Sequence, residues 1–165
     1  IDKDGFLYVH GRVGLQVKMI NGEFVDLDEL AANILRHTLL VQSAAVDAEM
    51  KDYAVAVVSL AWEPETLKEI GEKLGVPFDG DAAKFTADER VVAAIKKEIE
   101  ENRPKFGDPR SPGTPRKFLI VSPMSPETGE ITSTLKFRVR KILEKYRAQI
   151  EELRKSDETF MVYAR

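Results

Sequence analysis

The run Tyr53-Ala54-Val55-Ala56-Val57-Val58-Ser59-Leu60 is the most strand-like part of this chain. Its valines favour a pleated backbone, and nearly continuous apolar character is typical of a strand that is covered on both faces. We therefore predict that Tyr53–Leu60 is a central strand of a sheet. A helix is predicted to follow at Glu63-Pro64, because proline is tolerated at the first helical position, and to end at Gly71 or Gly75.

Four other segments are predicted as strands from their alternation or their apolar character. They are Phe6–His10, Leu15–Ile20, Ala44–Val46 and Lys117–Val121. The second of them runs into Asn21-Gly22, a dipeptide that favours tight hairpin turns. The tail Phe160–Tyr163 is short and apolar, and the sequence leaves an edge strand, a packing arm and disorder open for it.

Three further helices are predicted from caps and from apolar residues three or four positions apart. Asp26–Glu29 and Thr86–Glu89 have the form of capping boxes, and residues 76–86 are predicted to be a polar loop. The last helix is expected to bury one continuous face, made of Val139, Ile142, Leu143, Tyr146, Ile150 and Leu153. These elements predict an α+β fold, with a small mixed sheet of about three to five strands, a β-hairpin and helices packed on the sheet.

Composition excludes several classes of function. The 165 residues include no cysteine, which rules out disulfides and cysteine-based zinc sites, and His10 and His37 lie too far apart in sequence for a metal-binding pair. We therefore predict no metal site. A net charge of −3 argues against a general nucleic-acid-binding protein. The chain opens in a turn without an initiator methionine, so we expect it to be a piece of a longer protein.

Gly129–Arg138, with the sequence GEITSTLKFR, carries the strongest candidate for a functional residue. Its small hydroxyl residues lead to Lys136 and then to an amphipathic helix. A lysine on such a loop is well placed to bring one positive charge to an anionic group. Taken by itself, Lys136 is most simply a surface lysine near a helix start. Asn21-Gly22 is more often just a hairpin turn, and a turn can have a ligand role as well.

Three phrases, in this order, resemble the C-terminal domain of AMP-forming acyl-CoA synthetases, a family of adenylate-forming enzymes. They are DKDGFLYVHGR at Asp2–Arg12, VKMINGEFV at Val17–Val25 and EITSTLK at Glu130–Lys136. The last phrase runs into a basic helix that is similar to that of long-chain fatty-acid ligases. The resemblance implies that residues 1–165 are one mobile C-terminal domain, with a helical insertion at 61–116 and a tail at 156–165. The family's N-terminal AMP-binding domain would be absent from this chain.

The resemblance implies a long-chain fatty-acid–CoA ligase that works in two half-reactions. A carboxylate attacks the α-phosphate of ATP to give acyl-AMP and pyrophosphate, and the thiol of coenzyme A then displaces AMP. ATP and Mg²⁺ would be bound mainly by the N-terminal domain, and the C-terminal domain would rotate between two poses. The implied partners are that N-terminal domain and the substrates fatty acid, ATP and coenzyme A, without nucleic acid. We expect the isolated chain to be inactive and the full enzyme to be cytoplasmic, with peripheral association at the inner membrane surface left open.

The family's functional residues map onto this chain one by one. Lys136 matches the lysine that bridges the acyl carboxylate and the phosphate during adenylation, and Asp2 matches the hinge between the two domains. Lys18 and the loop Asn21-Gly22-Glu23 match the segment beside the pantetheine channel in the second pose, where Gly22 would leave room for the thiol arm. Arg12 matches an arginine with a role in ligand contact or hinge packing.

The chain departs from the family pattern at two places. Gly14-Leu15 stand where members usually carry a charged pair, which leaves open an altered second pose, and Ser133 stands where long-chain members favour proline.

Alternatives also remain for the function. Six basic residues form either a phosphate-seeking face for coenzyme A or a solvated helix face; they are Lys136, Arg138, Arg140, Lys141, Lys145 and Arg147. The whole chain could instead be a non-catalytic domain that binds a partner or a membrane surface through this helix. A third possibility is a ligase of the same family for another acid or for a carrier-protein thiol. The sequence does not determine the acyl chain length.

Overall fold

The computed structural model describes residues 16–165, which form two sheets and six α-helices. The first sheet is a hairpin of β1 (Gln16–Lys18) and β2 (Phe24–Asp26), paired antiparallel. The second sheet has four strands side by side in chain order: β3 (Ser43–Asp47), β4 (Val55–Ser59), β5 (Lys117–Val121) and β6 (Phe160–Tyr163). The predicted strand Phe6–His10 lies outside the described residues.

The strand directions make the second sheet mixed. β3 runs antiparallel to β4, whereas β5 runs parallel to β4 and β6 runs parallel to β5. β4 lies between two neighbours and all of its residues are buried, as its valine-rich sequence predicts. The central strand and the mixed α+β fold are therefore confirmed.

The helices are α1 (Leu27–His37), α2 (Pro64–Leu74), α3 (Ala82–Ala87), α4 (Glu89–Asn102), α5 (Val139–Lys145) and α6 (Arg147–Lys155), with a 3-10 turn at Arg103–Lys105. α1, α5 and α6 contact the four-stranded sheet, whereas α2 and α3 contact α4. α4 also borders this sheet, because the Lys96 ammonium lies 5.6 Å from the centroid of the Phe160 ring of β6.

Two predicted helix boundaries are confirmed by their caps. The Asp26 carboxylate accepts hydrogen bonds from the N–H groups of Asp28 and Glu29 at the start of α1. Pro64 is the first residue of α2, and the helix is terminated by Gly75, whose φ of 67° is left-handed. Glycine adopts that conformation without the steric cost that other residues meet, which explains why α2 ends there.

Two other helix predictions are wrong in detail. Residues 76–86 are not all loop, because α3 begins after Asp81, whose carboxylate accepts from the Lys84 N–H. Thr86 lies inside α3, where its hydroxyl donates to the Ala82 carbonyl, so the cap of α4 is Asp88 rather than Thr86. A run of helix formers after a capping aspartate is the local reason for this extra helix.

The predicted last helix is broken in two at Tyr146, which ends α5 and precedes α6. Buried positions continue across the break, at Val139, Ile142, Tyr146, Ile150 and Leu153, so the apolar spacing conceals it. The tail adopts the edge strand among the three possibilities, since β6 pairs with β5 and Phe160 stacks on Phe118 with ring centroids 5.6 Å apart.

Candidate functional site

Lys136 lies on a short loop between Ile131 and Phe137, the Lys136 loop, whose backbone is fixed by hydrogen bonds. The Thr132 N–H donates to the Lys136 carbonyl over 2.9 Å, and the Lys136 N–H donates to Thr132 Oγ1 over 3.0 Å. Ile131 and Phe137 pair as an antiparallel bridge at the base of the loop. The Lys136 side chain is exposed, and no hydrogen bond or ion pair within residues 16–165 involves its ammonium. The loop therefore fixes the lysine backbone and leaves its charge available to an anion from outside.

Leu135, directly before the lysine, adopts a left-handed backbone with φ of 59°. Its side chain is 62% exposed, and its N–H donates to the Thr132 carbonyl over 2.9 Å. A non-glycine residue pays roughly 1–2 kcal/mol for this conformation. The hydrogen bonds of the loop thus hold a turn that leucine would not adopt by itself.

Glu130 is buried immediately before this loop, with 1% of its side chain exposed. Its carboxylate forms an ion pair with Lys145 and contacts the Thr128 hydroxyl, and the Tyr146 hydroxyl donates to it over 3.3 Å. Burial raises the pKa of this carboxyl, but the hydrogen bonds of Lys145 and Thr128 and the charge of Lys145 outweigh burial and hold the pKa of Glu130 below its ordinary value. Glu130 is therefore a buried carboxylate that stays ionised at neutral pH.

The other predicted site residues lie on the β1–β2 hairpin. The Met19 N–H donates to the Glu23 carbonyl over 2.8 Å, and Asn21 Oδ1 accepts from the Glu23 N–H over 3.1 Å. Gly22 has a φ of 90°, and a Cβ added there would meet only Lys18 Cε, at 3.9 Å. Within the described residues, glycine is required at this turn by its backbone conformation rather than by crowding.

Two neighbouring loops support the hairpin. The Ser111 hydroxyl donates to Glu23 Oε1 over 2.9 Å, which joins the hairpin to the proline-rich loop before β5. The Met50 N–H donates to the Lys18 carbonyl over 2.8 Å, which joins the hairpin to the turn after β3. Four of the carried-over residues, Lys18 and Asn21–Glu23, thus belong to one supported turn.

A cleft of about 460 Å³ lies between the turn after β3 and the helices α5 and α6. Its walls carry charges of both signs, from Asp47, Glu49, Lys51, Arg140, Glu144 and Arg147. The residues that line this cleft include none from the hairpin and none from the Lys136 loop. No hydrogen bond or ion pair within residues 16–165 joins Lys136 to the hairpin.

Some of the predicted site lies outside the described residues, namely Asp2, Arg12 and the Gly14-Leu15 departure. The structure also divides the basic set. Lys145 is ion-paired to the buried Glu130 although 46% of its side chain is exposed, whereas Arg138, Lys141 and Arg147 are exposed without an ion pair to Glu130.

Glu130 lies within the third sequence phrase but has no predicted role, and Ser111 belongs to no predicted site. A local signal for Glu130 exists: a glutamate beside the apolar Ile131, with a lysine, Lys145, next to the buried Tyr146 on the following helix. The Ser111–Glu23 contact joins residues that are 88 positions apart, so no local pattern announces it.

Residues 16–165 contain no group of three or more histidine, aspartate or glutamate side chains placed to hold a metal ion. No helix in the same range is both long and apolar enough to cross a membrane.

No protein-family model matches the chain, but individual proteins do. A D-alanine–D-alanyl carrier protein ligase of Listeria welshimeri is 30% identical over 110 residues, which cover 67% of this chain and 18% of that protein. A putative fatty-acid–CoA ligase of Mycobacterium tuberculosis is 28% identical over 163 residues, which cover 99% of this chain and 28% of that protein. The chain therefore spans less than a third of the length of these two curated relatives.

Solved structures agree on the fold. The adenylation domain of carboxylic acid reductase from Segniliparus rugosus, solved with AMP and a co-purified carboxylic acid, superposes with a TM-score of 0.59 at 24% identity. The match covers 86% of this chain and 20% of that one. Sequence relatives and fold point to the same group of proteins as the three sequence phrases, so the chain belongs to the adenylate-forming superfamily.

Proposed function

We propose that this chain is the C-terminal domain of a longer AMP-forming acid–thiol ligase and that Lys136 acts in its adenylation step. One observation carries the proposal: the Lys136 ammonium is exposed and unpaired within the described residues, on a loop whose backbone is held by hydrogen bonds. A catalytic ammonium must be pre-placed and must be free to meet a substrate that another domain binds. The Lys136 loop has both properties.

In this step a carboxylate oxygen of the acid forms a bond to the α-phosphorus of ATP, and the bond to pyrophosphate breaks. Negative charge builds on the phosphoryl oxygens during the displacement, so an ammonium placed between the carboxylate and the phosphate lowers the barrier without any proton transfer. Lys136 supplies that charge. Mg²⁺ would neutralise the phosphates when bound, and the described residues offer it no carboxylate cluster, so we assign ATP and Mg²⁺ to the remaining part of the enzyme.

The hairpin residues Lys18, Asn21, Gly22 and Glu23 would face the thiol in the second step, in which sulfur bonds to the acyl carbon and AMP leaves. Support comes from the turn itself, which is held by the Asn21–Glu23 hydrogen bond and by Ser111. Asp2 would be the hinge between the two poses, and Arg12 would contact the ligand or pack at that hinge.

The thiol and the acid are coenzyme A and a long-chain fatty acid in this proposal. The fatty-acid–CoA ligase relative, which matches nearly the whole chain, supports this choice. The carrier-protein ligase relative supports the alternative of another acid and a carrier thiol. ATP–pyrophosphate exchange by the full-length enzyme over a panel of carboxylic acids, followed by thioester assays with coenzyme A and with carrier protein, decides between them.

Lys136→Ala in the full-length enzyme tests the central role. We expect ATP–pyrophosphate exchange to fall by about 100- to 1000-fold, which is the usual effect of removing one charge-assisted donor from a transition state. Thioester formation from supplied acyl-adenylate should largely survive. Lys73→Ala, at an exposed lysine in the last turn of α2, is the control and should leave both half-reactions unchanged. An equal loss of both half-reactions in Lys136→Ala would contradict the role.

A further inference from the structure

Burial of Glu130 is unusual because nothing in the proposed chemistry of Lys136 requires it. A glutamate with 1% exposure is costly unless it is paired and hydrogen-bonded, and apolar residues of similar size often stabilise a core equally well. Among the carboxylates in ion pairs within residues 16–165, Glu130 is the most buried. Its location one residue before the bridge that closes the Lys136 loop connects it to the candidate site.

Glu130 contacts both ends of α5. Its backbone carbonyl accepts from the N–H of Arg138, the residue that caps the start of this helix, over 2.8 Å. Its carboxylate binds Lys145, the last residue of α5, and Tyr146, the residue at the break before α6. One residue thus ties the seven-residue helix α5 at its first and last turns.

The same residue also connects α5 to the preceding turn. The Thr128 hydroxyl contacts the second carboxylate oxygen of Glu130, and this hydroxyl also accepts from the Ser125 N–H over 3.1 Å. Turn, loop and helix therefore converge on one charged group. The direction in which the Lys136 side chain points depends on how the base of its loop contacts α5. Glu130 fixes that contact.

We propose that Glu130 is a positioning residue, which clamps α5 against the base of the Lys136 loop and so sets the direction of the lysine for adenylation. The inference rests on the proposed function of Lys136. A clamp of this kind acts on one half-reaction only, because the hairpin is supported by other residues, among them Ser111 and Met50.

Glu130→Gln in the full-length enzyme is the test, because glutamine keeps the shape and removes the charge. We expect the maximal rate of ATP–pyrophosphate exchange to fall about 10- to 100-fold, as for a displaced catalytic group, with the KM for ATP and for the acid unchanged. Thioester formation from supplied acyl-adenylate should be retained. Hydrogen exchange measured by mass spectrometry should quicken in the peptide that covers residues 130–138.

Glu98→Gln is the matched control. Glu98 also carries a carboxylate that organises the fold, since it accepts from the N–H groups of Leu39, Leu40 and Val41, but it lies on α4 away from the Lys136 loop. In this variant the rates of both half-reactions and the hydrogen exchange of the 130–138 peptide should be unchanged. If Glu130→Gln does not fold, Lys145→Gln removes the other partner of the clamp at a half-exposed site and should give the same selective loss.

Three results for Glu130→Gln would overturn the clamp. They are unchanged ATP–pyrophosphate exchange, an equal loss of both half-reactions, and unaltered hydrogen exchange in the 130–138 peptide. Failure of the proposed function looks different, because Lys136→Ala would then keep its adenylation activity. In that case the hydrogen-exchange measurement still decides whether Glu130 fixes the loop.

Discussion

The glycine at position 22 has two explanations, one from function and one from backbone conformation. The resemblance to acyl-CoA synthetases explains the glycine by the space that a thiol arm needs, whereas the turn requires it for a φ of 90°. Open space around the added Cβ means that a side chain here would project outward rather than into the domain. A substitution therefore blocks only what approaches from outside, apart from its backbone strain.

Gly22→Leu is predicted to block the thiol step and to spare adenylation. Leucine would strain the turn by roughly 1–2 kcal/mol and would cover the surface that is proposed to face the thiol. Thioester formation from acyl-adenylate should fall strongly while ATP–pyrophosphate exchange persists. Gly80→Leu is the control, since Gly80 has a φ of 99° and open surroundings on a different loop, so it carries the same strain without covering the hairpin.

If ATP–pyrophosphate exchange fell as much as thioester formation in Gly22→Leu, the proposed thiol-facing role of the hairpin would be contradicted. A loss of thioester formation in Gly80→Leu as large as in Gly22→Leu would instead show that backbone strain is the cause.

Among the helices and strands, the features that can be predicted from sequence are those determined by a few adjacent residues. The valine-rich run of β4 and the Asp26 cap of α1 are examples, because each depends on a few adjacent residues. The break at Tyr146 could not be predicted in this way, since the buried spacing continues through it and the residue that holds it, Glu130, comes from outside the helix. The pairing of β6 with β5 likewise depends on a contact across the fold.

The residues of the candidate site show the same difference between local motifs and long-range contacts. Lys136 and Gly22 can be predicted as site residues because their motifs are continuous in sequence. The groups that hold them, Glu130 and Ser111, act through partners 15 and 88 positions away, which no single phrase of the sequence contains.

Helix α6 is fastened to the sheet by Arg154, and this contact gives a prediction about stability. Its guanidinium donates to the Asp47 carboxylate over 2.7 Å and to the Tyr53 carbonyl over 2.7 Å, with 10% of the arginine side chain exposed. Lysine cannot reproduce this fork, so Arg154→Lys should lower the free energy of unfolding by about 1–3 kcal/mol. Urea unfolding measures the change.

Arg110→Lys is the comparison for this prediction. Arg110 pairs with Asp108 on the surface, with 91% of the arginine side chain exposed, so the exchange should leave the unfolding free energy unchanged. Similar losses in the two variants would show that the fork of Arg154 contributes nothing specific.

Across the whole molecule, the dependence of stability on pH should be dominated at low pH by Glu130. Other carboxyls with a lowered pKa, such as Asp79, Asp88 and Asp108, are on the surface, where solvent screens their pairs. Glu130 is buried, and its pKa is lower in the folded chain than the ordinary value of about 4.3 that it has when unfolded. Its contribution to stability is therefore complete above about pH 5 and is lost as the pH falls through the folded pKa.

Comparison of the wild type with Glu130→Gln isolates this contribution. At pH 7 the wild type should be more stable by about 1–3 kcal/mol, the usual net value of hydrogen bonds to a charged group. The difference should shrink as the pH is lowered from 5 towards 3, because protonation removes the charge that the substitution also removes. Urea unfolding at several pH values between 3 and 7 measures it. A difference that stays constant over this range would contradict the prediction, because ionisation of the Glu130 carboxyl would then not be what ties the turn, the Lys136 loop and α5 into one unit.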